Sequence, residues 1–154
     1  MLPITKFAAA FAAVVAFALP SFAQNVSEAE ISISDAYVVV NGPDSATAFM
    51  TVTHNVNSAD RLISVGVDVG IAEMFVPMDD GLGGTYLKKA PSGFDLAANE
   101  VFVMSPGGNE MRLSNLLTDL KDGDKVKVSL SFEWAGVVWA EAVVDNSRAA
   151  AGTN

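Results

Sequence analysis

Apolar and polar residues alternate along much of the chain with the period of two that is typical of a β-strand. The clearest stretch is KVKVSLSFEW, residues 125–134, in which one face carries Val126, Val128, Leu130, Phe132 and Trp134. This pattern predicts an antiparallel strand with one buried face. The Ala135-Gly136 turn and VVWAEAVV, which is apolar on both faces, predict a C-terminal hairpin whose second strand is the more buried one.

Further short β-rich segments occur upstream, namely ISISDAYVVV, ATAFMTVTH, RLISVGV, IAEMFVPM and NEVFVM. They are separated by the turn-forming segments NGPDS, NVNSAD, DDGLGG and APSG. This alternation predicts an all-β, single-domain antiparallel β-sandwich. Only LSNLLTDLKDGD, residues 113–124, hints at one short helical turn, and the NSRAAAGTN tail is expected to fray.

The first 23 residues have the order of a secretory signal peptide. Lys6 precedes an apolar run over residues 7–19, Pro20 ends the run, and small residues precede Ala23. The run is shorter than the roughly 20 residues that span a bilayer. We expect cleavage after Ala23, which gives a mature periplasmic domain of residues 24–154 without stable membrane insertion. The alternative is an N-terminal anchor that is left uncleaved.

Composition excludes several function classes. Lys6 is the only charge in the predicted signal, so the mature chain has 18 acidic and 8 basic residues, a net charge of about −10. Nucleic acids and anionic lipid surfaces are therefore not expected as partners. The sequence has no cysteine, one histidine and no G-x-S-x-G motif, so we expect no enzyme activity. The glycine-rich residues 81–84 lack a phosphate-loop pattern.

Three segments in a fixed order carry a family resemblance. They are AFMTVTHNVNSADRLISV at residues 48–65, PGGNEMRLSNL at residues 106–116 and LKDGDKVKVSLSFEWAG at residues 120–136. Together they resemble the periplasmic copper chaperones called PCu(A)C, over about residues 31–145. The resemblance implies a cupredoxin-like or immunoglobulin-like β-sandwich. It also implies a protein that binds one Cu(I) and passes it to a copper-accepting protein, towards cytochrome oxidase assembly. We expect this protein to be a monomer.

The resemblance also implies ligand positions, in a pattern similar to H-x10-M-x21-H-x-M with Met accepted at the first position. Met74 falls at the first position, and no methionine occurs at residues 85–87, where the second is expected. Glu110 occupies the second histidine position and Arg112 the final methionine position. The predicted copper residues are therefore Met74, Met78 and Glu110, while Arg112 stands at a ligand position without being a ligand. Thioethers favour Cu(I).

Other residues near this set have simpler interpretations. Four extended residues separate Met74 from Met78 by about 13 Å, so a shared ion requires the chain to fold back at Pro77. The alternation along each strand predicts a core position for the remaining candidates Met50, Met104 and Met111. His54 ends a predicted strand, where a surface or capping role is expected. The acids of the following loop, Asp79 and Asp80, are expected to be solvated.

Glu110 and Arg112 are two residues apart on one strand and therefore share a face. They form an ion pair across the vacated site or are two unconnected surface charges. Two function classes follow. One is a copper-handling chaperone with an altered site, to which His54 is a further possible contributor, and the other is a β-sandwich module that binds no metal and acts through protein contacts or an unknown small ligand.

Overall fold

The structure, a computed structural model, describes residues 30–152. The predicted signal peptide at residues 1–23 lies outside this range. The described chain forms ten strands and one 3₁₀ helix, Asn146–Gly152, which confirms the all-β prediction. The strands are β1 Ile31–Gly42, β2 Ser45–His54, β3 Asp60–Val67, β4 Ile71–Asp79, β5 Thr85–Lys89, β6 Phe94–Leu96, β7 Val101–Met104, β8 Glu110–Ser114, β9 Lys125–Phe132 and β10 Gly136–Val144.

The strands form one hydrogen-bonded path, β5-β4-β8-β2-β1-β10-β9-β3-β6, with β7 paired to β2. The path curls so that its two halves, β5-β4-β8-β2-β1 and β10-β9-β3-β6, enclose a single apolar core. All pairings are antiparallel except the one between β1 and β10, which joins the two layers. The architecture is therefore the predicted β-sandwich, and its two outer faces point away from the core.

The β9–β10 hairpin confirms the strongest part of the periodic pattern and corrects two details. Val126, Val128 and Leu130 are fully buried, as the alternation predicts. Trp134 was expected on the same buried face, but β9 ends at Phe132 and Trp134 lies in the turn, 78 % exposed. The prediction that β10 is the more buried strand is also wrong, because Trp139 is 66 % exposed on an outer face that no described element covers.

A bulge in β1 decides which residues face the core. The register shifts between Ser34 and Tyr37, and Asp35 adopts a φ of 50°. An extra residue on one strand reverses the inward and outward positions that follow it. Tyr37 therefore moves to the outer face, where it packs with Phe49 in a small second apolar cluster.

The described part of the C-terminal tail, residues 146–152, is ordered where fraying was expected. Residues 146–152 form the 3₁₀ helix, and the Asn146 side chain accepts a hydrogen bond from the Val40 amide at 2.8 Å. Arg148 lies over the Tyr37 ring, 3.4 Å from its centroid, and donates two hydrogen bonds to Asp35 at 2.8 and 2.9 Å. The Arg148 guanidinium thus holds the helix against the outer face of β1.

The expected helical turn at residues 113–124 is absent, since this segment forms the end of β8 and a run of turns.

The Arg148 contact should make a small, acid-sensitive contribution to stability. Its guanidinium hydrogen bonds hold the pKa of Asp35 below its ordinary value. A lowered folded-state pKa gives stabilisation that is present above the unfolded value and lost as pH falls through the folded one. Because the contact is solvent-exposed, we expect Arg148→Ala to cost about 1 kcal/mol in urea unfolding at neutral pH. Arg148→Lys should recover only part of this, since it lacks the planar fork. Equal stability of the unchanged protein, Arg148→Ala and Arg148→Lys at neutral pH would show that the contact of Arg148 with Asp35 and Tyr37 contributes nothing.

Candidate functional site

The Pro-Gly-Gly segment is a loop that interrupts one edge of β2. Met104 pairs with Met50 and Met111 with Ala48, so β7 and β8 follow one another along the same strand. Residues 105–109 leave this edge and return, closed by hydrogen bonds from Ser105 N to Asn109 O at 3.0 Å and from Gly108 N to Ser105 O at 2.9 Å. Gly107 adopts a φ of 77°, which glycine accepts without strain. The chain then re-enters the sheet at Glu110.

Glu110 and Arg112 lie together on the outer face of β8. Arg112 Nε is 3.2 Å from Glu110 Oε2, so the predicted ion pair is present and the two charges are not unconnected. The Arg112 guanidinium also lies 4.6 Å from the centroid of the Phe75 ring, in cation–π geometry. The Glu110 side chain is only 10 % exposed, whereas that of Arg112 is 45 % exposed.

The register places the predicted copper residues on different faces. Met74 pairs with Met111, and both point into the core, where Met74 is 6 % exposed. Met78 points to the same side of β4 as Met74, but it lies next to the last residue of the strand and is 39 % exposed. Glu110 lies on the opposite face. The structure therefore does not bring Met74, Met78 and Glu110 together.

Phe75, which the sequence reasoning missed, occupies the β4 position next to Glu110 and Arg112. It pairs with Glu110 in the β4–β8 ladder and so shares the outer face with it. A ligand on this face would have to stand at position 75, where the phenylalanine has no atom that coordinates a metal, rather than at Met74. The alternation of side chains along a strand could have identified it, because the first ligand must point to the same face of the sheet as residues 110 and 112.

The remaining methionines of the described chain belong to the core, as predicted. Met50, Met104 and Met111 are 1 %, 2 % and 0 % exposed. Met104 lies opposite Met50, and Met111 lies opposite Met74, so four methionines face inward from neighbouring strands. Unbranched thioether side chains fill irregular space between two twisted layers.

His54 and the acidic loop have structural contacts. Of the two roles expected for His54, the surface position is wrong, because the chain around residue 97 covers the end of β2 and leaves His54 2 % exposed. Its Nδ1 lies 3.0 Å from the Ala97 carbonyl oxygen, a contact at the strand end. Asp79 and Asp80 are exposed, as expected, and accept amide hydrogen bonds within their loop. These hydrogen bonds hold the pKa of Asp80 below its ordinary value. Among the described residues, no three His, Cys, Asp or Glu side chains form a group that could hold a metal ion.

A cleft of about 510 Å³ lies on the outer face beside the Glu110–Arg112 pair. Its floor is formed by β1 and β2, one wall by the Pro-Gly-Gly loop, and the opposite wall by the 3₁₀ helix. The lining includes Val39, Thr47, Phe49, Pro106, Glu110, Arg112 and Arg148. Periodicity could not predict this cleft, because its walls come from segments that are distant in the chain. Residues 30–152 contain no helix with the length and apolar character of a membrane span.

Solved structures share this fold. The copper-bound PCuAC domain from PmoF2 matches with a TM-score of 0.60 and 22 % identity, over 75 % of this chain and 92 % of that one. The solution structure of Cu(I)-DR1885 from Deinococcus radiodurans matches with a TM-score of 0.59 and 18 % identity, over 82 % and 83 % of the two chains. Apo-DR1885 gives 0.56 and 19 %, over 94 % of each chain. At these identities the likeness establishes the cupredoxin-like fold.

The family comparison agrees with the extent of the resemblance. No curated protein matches the chain. The family model described as "Putative lipoprotein LpqE-like" matches residues 31–144, nearly the same range in which the sequence resembles PCu(A)C proteins. That resemblance is confirmed by the fold of the PCuAC domains above. The chain belongs to the LpqE-like family.

Proposed function

We propose that this protein is an exported copper-handling protein, similar in role to a copper chaperone, and that it acts as a binding protein rather than an enzyme. The observation that supports this most is the match of its fold to 92 % of the copper-bound PCuAC domain from PmoF2. In this proposal residues 1–23 direct export and residues 24–154 act in the periplasm. The bound Cu(I) is passed to an acceptor protein, towards cytochrome oxidase assembly.

Met74 is the most suitable copper ligand of the three predicted residues. It borders a cavity of about 190 Å³ between β3 and β4. Met111 lies directly across the ladder from it, fully buried behind the cavity rather than in its lining. Directly opposite residues have Cβ atoms about 5 Å apart, so two flexible thioethers can converge on one ion. Met78 is about 13 Å along the strand, and Glu110 is on the other face. We therefore assign Cu(I) to Met74, at the first family ligand position, and to Met111, which is not at a family ligand position.

A competition titration tests this proposal. The purified exported protein is titrated with Cu(I) held by a chromophoric chelator, and we expect it to withdraw one equivalent. Met74→Leu keeps the apolar volume but removes the sulfur, and should weaken Cu(I) binding by about tenfold or more, since it removes one of two soft ligands. Met104→Leu is the matched core control and should bind as the unchanged protein does. Absence of competition by the unchanged protein would refute copper handling.

A second candidate function is a β-sandwich module that binds no metal and acts through protein contacts. The observation that favours it is the position of the Arg112 guanidinium, which lies over Phe75 and beside Glu110. A fixed cation on this face repels a metal ion that approaches the same surface. This candidate predicts no competition for Cu(I), with Met74→Leu and the unchanged protein giving identical titrations.

A further inference from the structure

The outer-face cleft contains a charged pair whose hydrogen-bonding capacity is only partly used. Glu110 accepts one hydrogen bond, from Arg112 Nε to its Oε2, and no other described residue donates to the carboxylate. Arg112 uses Nε for this contact, and its two terminal nitrogens have no hydrogen-bond partner among residues 30–152. The Glu110 side chain is nine-tenths buried, and its second carboxylate oxygen is open to a donor from the cleft. The cleft thus presents an acceptor and a donor side by side.

The second arginine of the cleft is already neutralised. Both terminal nitrogens of Arg148 donate to the Asp35 carboxylate, and its guanidinium covers the Tyr37 ring. The charges around the cleft therefore cancel, with Arg112 paired to Glu110 and Arg148 paired to Asp35. A ligand with a net negative charge would find no uncompensated cation there. Charge complementarity instead favours a ligand that carries one positive and one negative group and is neutral overall.

The rest of the lining adds polar and apolar contacts in separate places. Thr47 lies directly opposite Arg112 in the ladder and accepts a hydrogen bond from the Asn41 side chain at 2.7 Å, which leaves its hydroxyl proton free to donate. Val39, Phe49 and Pro106 form an apolar surface beside these groups. A cleft of about 510 Å³ is within the range of small-ligand sites.

We propose that this cleft binds an apolar α-amino acid. The ligand carboxylate lies on the terminal nitrogens of Arg112 and the Thr47 hydroxyl, and the ligand ammonium lies on the free oxygen of Glu110. The apolar side chain lies against Phe49 and Pro106. This site is independent of the copper proposal, because Glu110 and Arg112 are on the opposite face of β8 from Met111 and its neighbour Met74.

L-leucine and two analogues that each lack one charge test the proposal directly. Isopentylamine keeps the ammonium and the branched chain, and 4-methylpentanoate keeps the carboxylate and the same chain. Each is titrated into the ¹⁵N-labelled protein at millimolar concentration while amide chemical shifts are recorded. We expect saturable shifts with leucine, centred on residues 47, 49, 110 and 112. Each analogue should bind at least about tenfold more weakly than leucine, since each loses a charged hydrogen bond.

Matched variants separate the charged pair from general effects on the fold. Glu110→Gln and Arg112→Gln should each weaken leucine binding about tenfold or more, while thermal unfolding shows that both variants are folded. Lys89→Gln is the control, because Lys89 pairs with Glu73 at 2.5 Å on the same face but outside the cleft. Absence of saturable shifts with leucine, or equal binding of leucine and 4-methylpentanoate, overturns the proposal. Neither result bears on the Cu(I) titration.

Discussion

Gly93→Ala is expected to remove more than about 4 kcal/mol of folding free energy, among the largest losses for a single methyl group. Gly93 has a φ of 78°, and a Cβ there would lie 1.8 Å from the Leu62 carbonyl oxygen and 2.9 Å from its carbon. Both obstacles are backbone atoms, so no side chain can move aside. Relief requires β6 to separate from β3, to which it is paired through Leu62 and Phe94. That separation would expose Phe94 and Leu96, which are 6 % and 1 % exposed in the fold.

Gly123→Ala is the matched control for this prediction. Gly123 has a φ of 89°, and a Cβ there would meet no atom within 4 Å. It therefore carries the cost of a left-handed backbone, about 1–2 kcal/mol, without the collision. Urea unfolding followed by circular dichroism gives both values. Equal losses of folding free energy in the two variants would show that β6 moves away from β3 at no cost. The close approach at Gly93 would then contribute nothing to the loss.

The second large effect is expected at Asp60, whose carboxylate ties the start of β3 to the β9–β10 hairpin. Asp60 Oδ1 accepts the amides of Arg61 at 2.6 Å and Trp134 at 3.0 Å, and Oδ2 accepts that of Ala135 at 3.0 Å. The residue is 6 % exposed. Removing a buried acceptor leaves each donor with a penalty of about 1–3 kcal/mol, reduced where water enters. We therefore expect Asp60→Ala to cost about 3–5 kcal/mol and Asp60→Asn clearly less, since Asn retains one acceptor oxygen.

The pH dependence of stability gives an independent measure of the same contact. Burial by itself would raise the pKa of Asp60, but the three amide hydrogen bonds and the nearby His54 together lower it below its ordinary value. Because the folded-state pKa is lowered, the Asp60 contribution is complete above the unfolded value of about 3.9 and is lost as pH falls through the folded one. The unchanged protein should therefore lose stability more steeply in acid than Asp60→Ala does. Asp95→Ala is the control, because Asp95 is 87 % exposed beside Arg61. An Asp60→Ala loss no larger than this control would contradict the prediction.

These contacts give a structural role to Asp60-Arg61-Leu62, a triplet within residues 48–65, the first segment that carries the family resemblance. Asp60 caps the hairpin turn, Arg61 accepts the Glu133 amide at its carbonyl oxygen, and Leu62 is fully buried in the core. Each residue supports the fold, and none lies in the outer-face cleft. A resemblance built on this triplet therefore reports the architecture reliably and says little about the ligand.

The candidate site could be predicted only in part. The two-residue spacing of Glu110 and Arg112 was sufficient to place them on one face, and the structure shows their ion pair. The contribution of β4 could not be read in the same way. Spacing alone does not determine whether Met74 or Phe75 lies on the same face of the sheet as Glu110, since a shift of one residue in register exchanges the two faces of a strand.

The sequence by itself determined the β-sandwich, the strand segments, the hairpin and the family, because alternation and turn residues are local properties that survive in any consistent packing. Only the tertiary structure decided that Met74 faces the core, that Trp134 lies in a turn, and that His54 is buried. It also decided that the tail folds over β1 to complete the cleft beside Glu110 and Arg112. These outcomes depend on register, on the bulge at Asp35 and on which faces the two layers cover. They arise from pairings between distant segments, which no local pattern encodes.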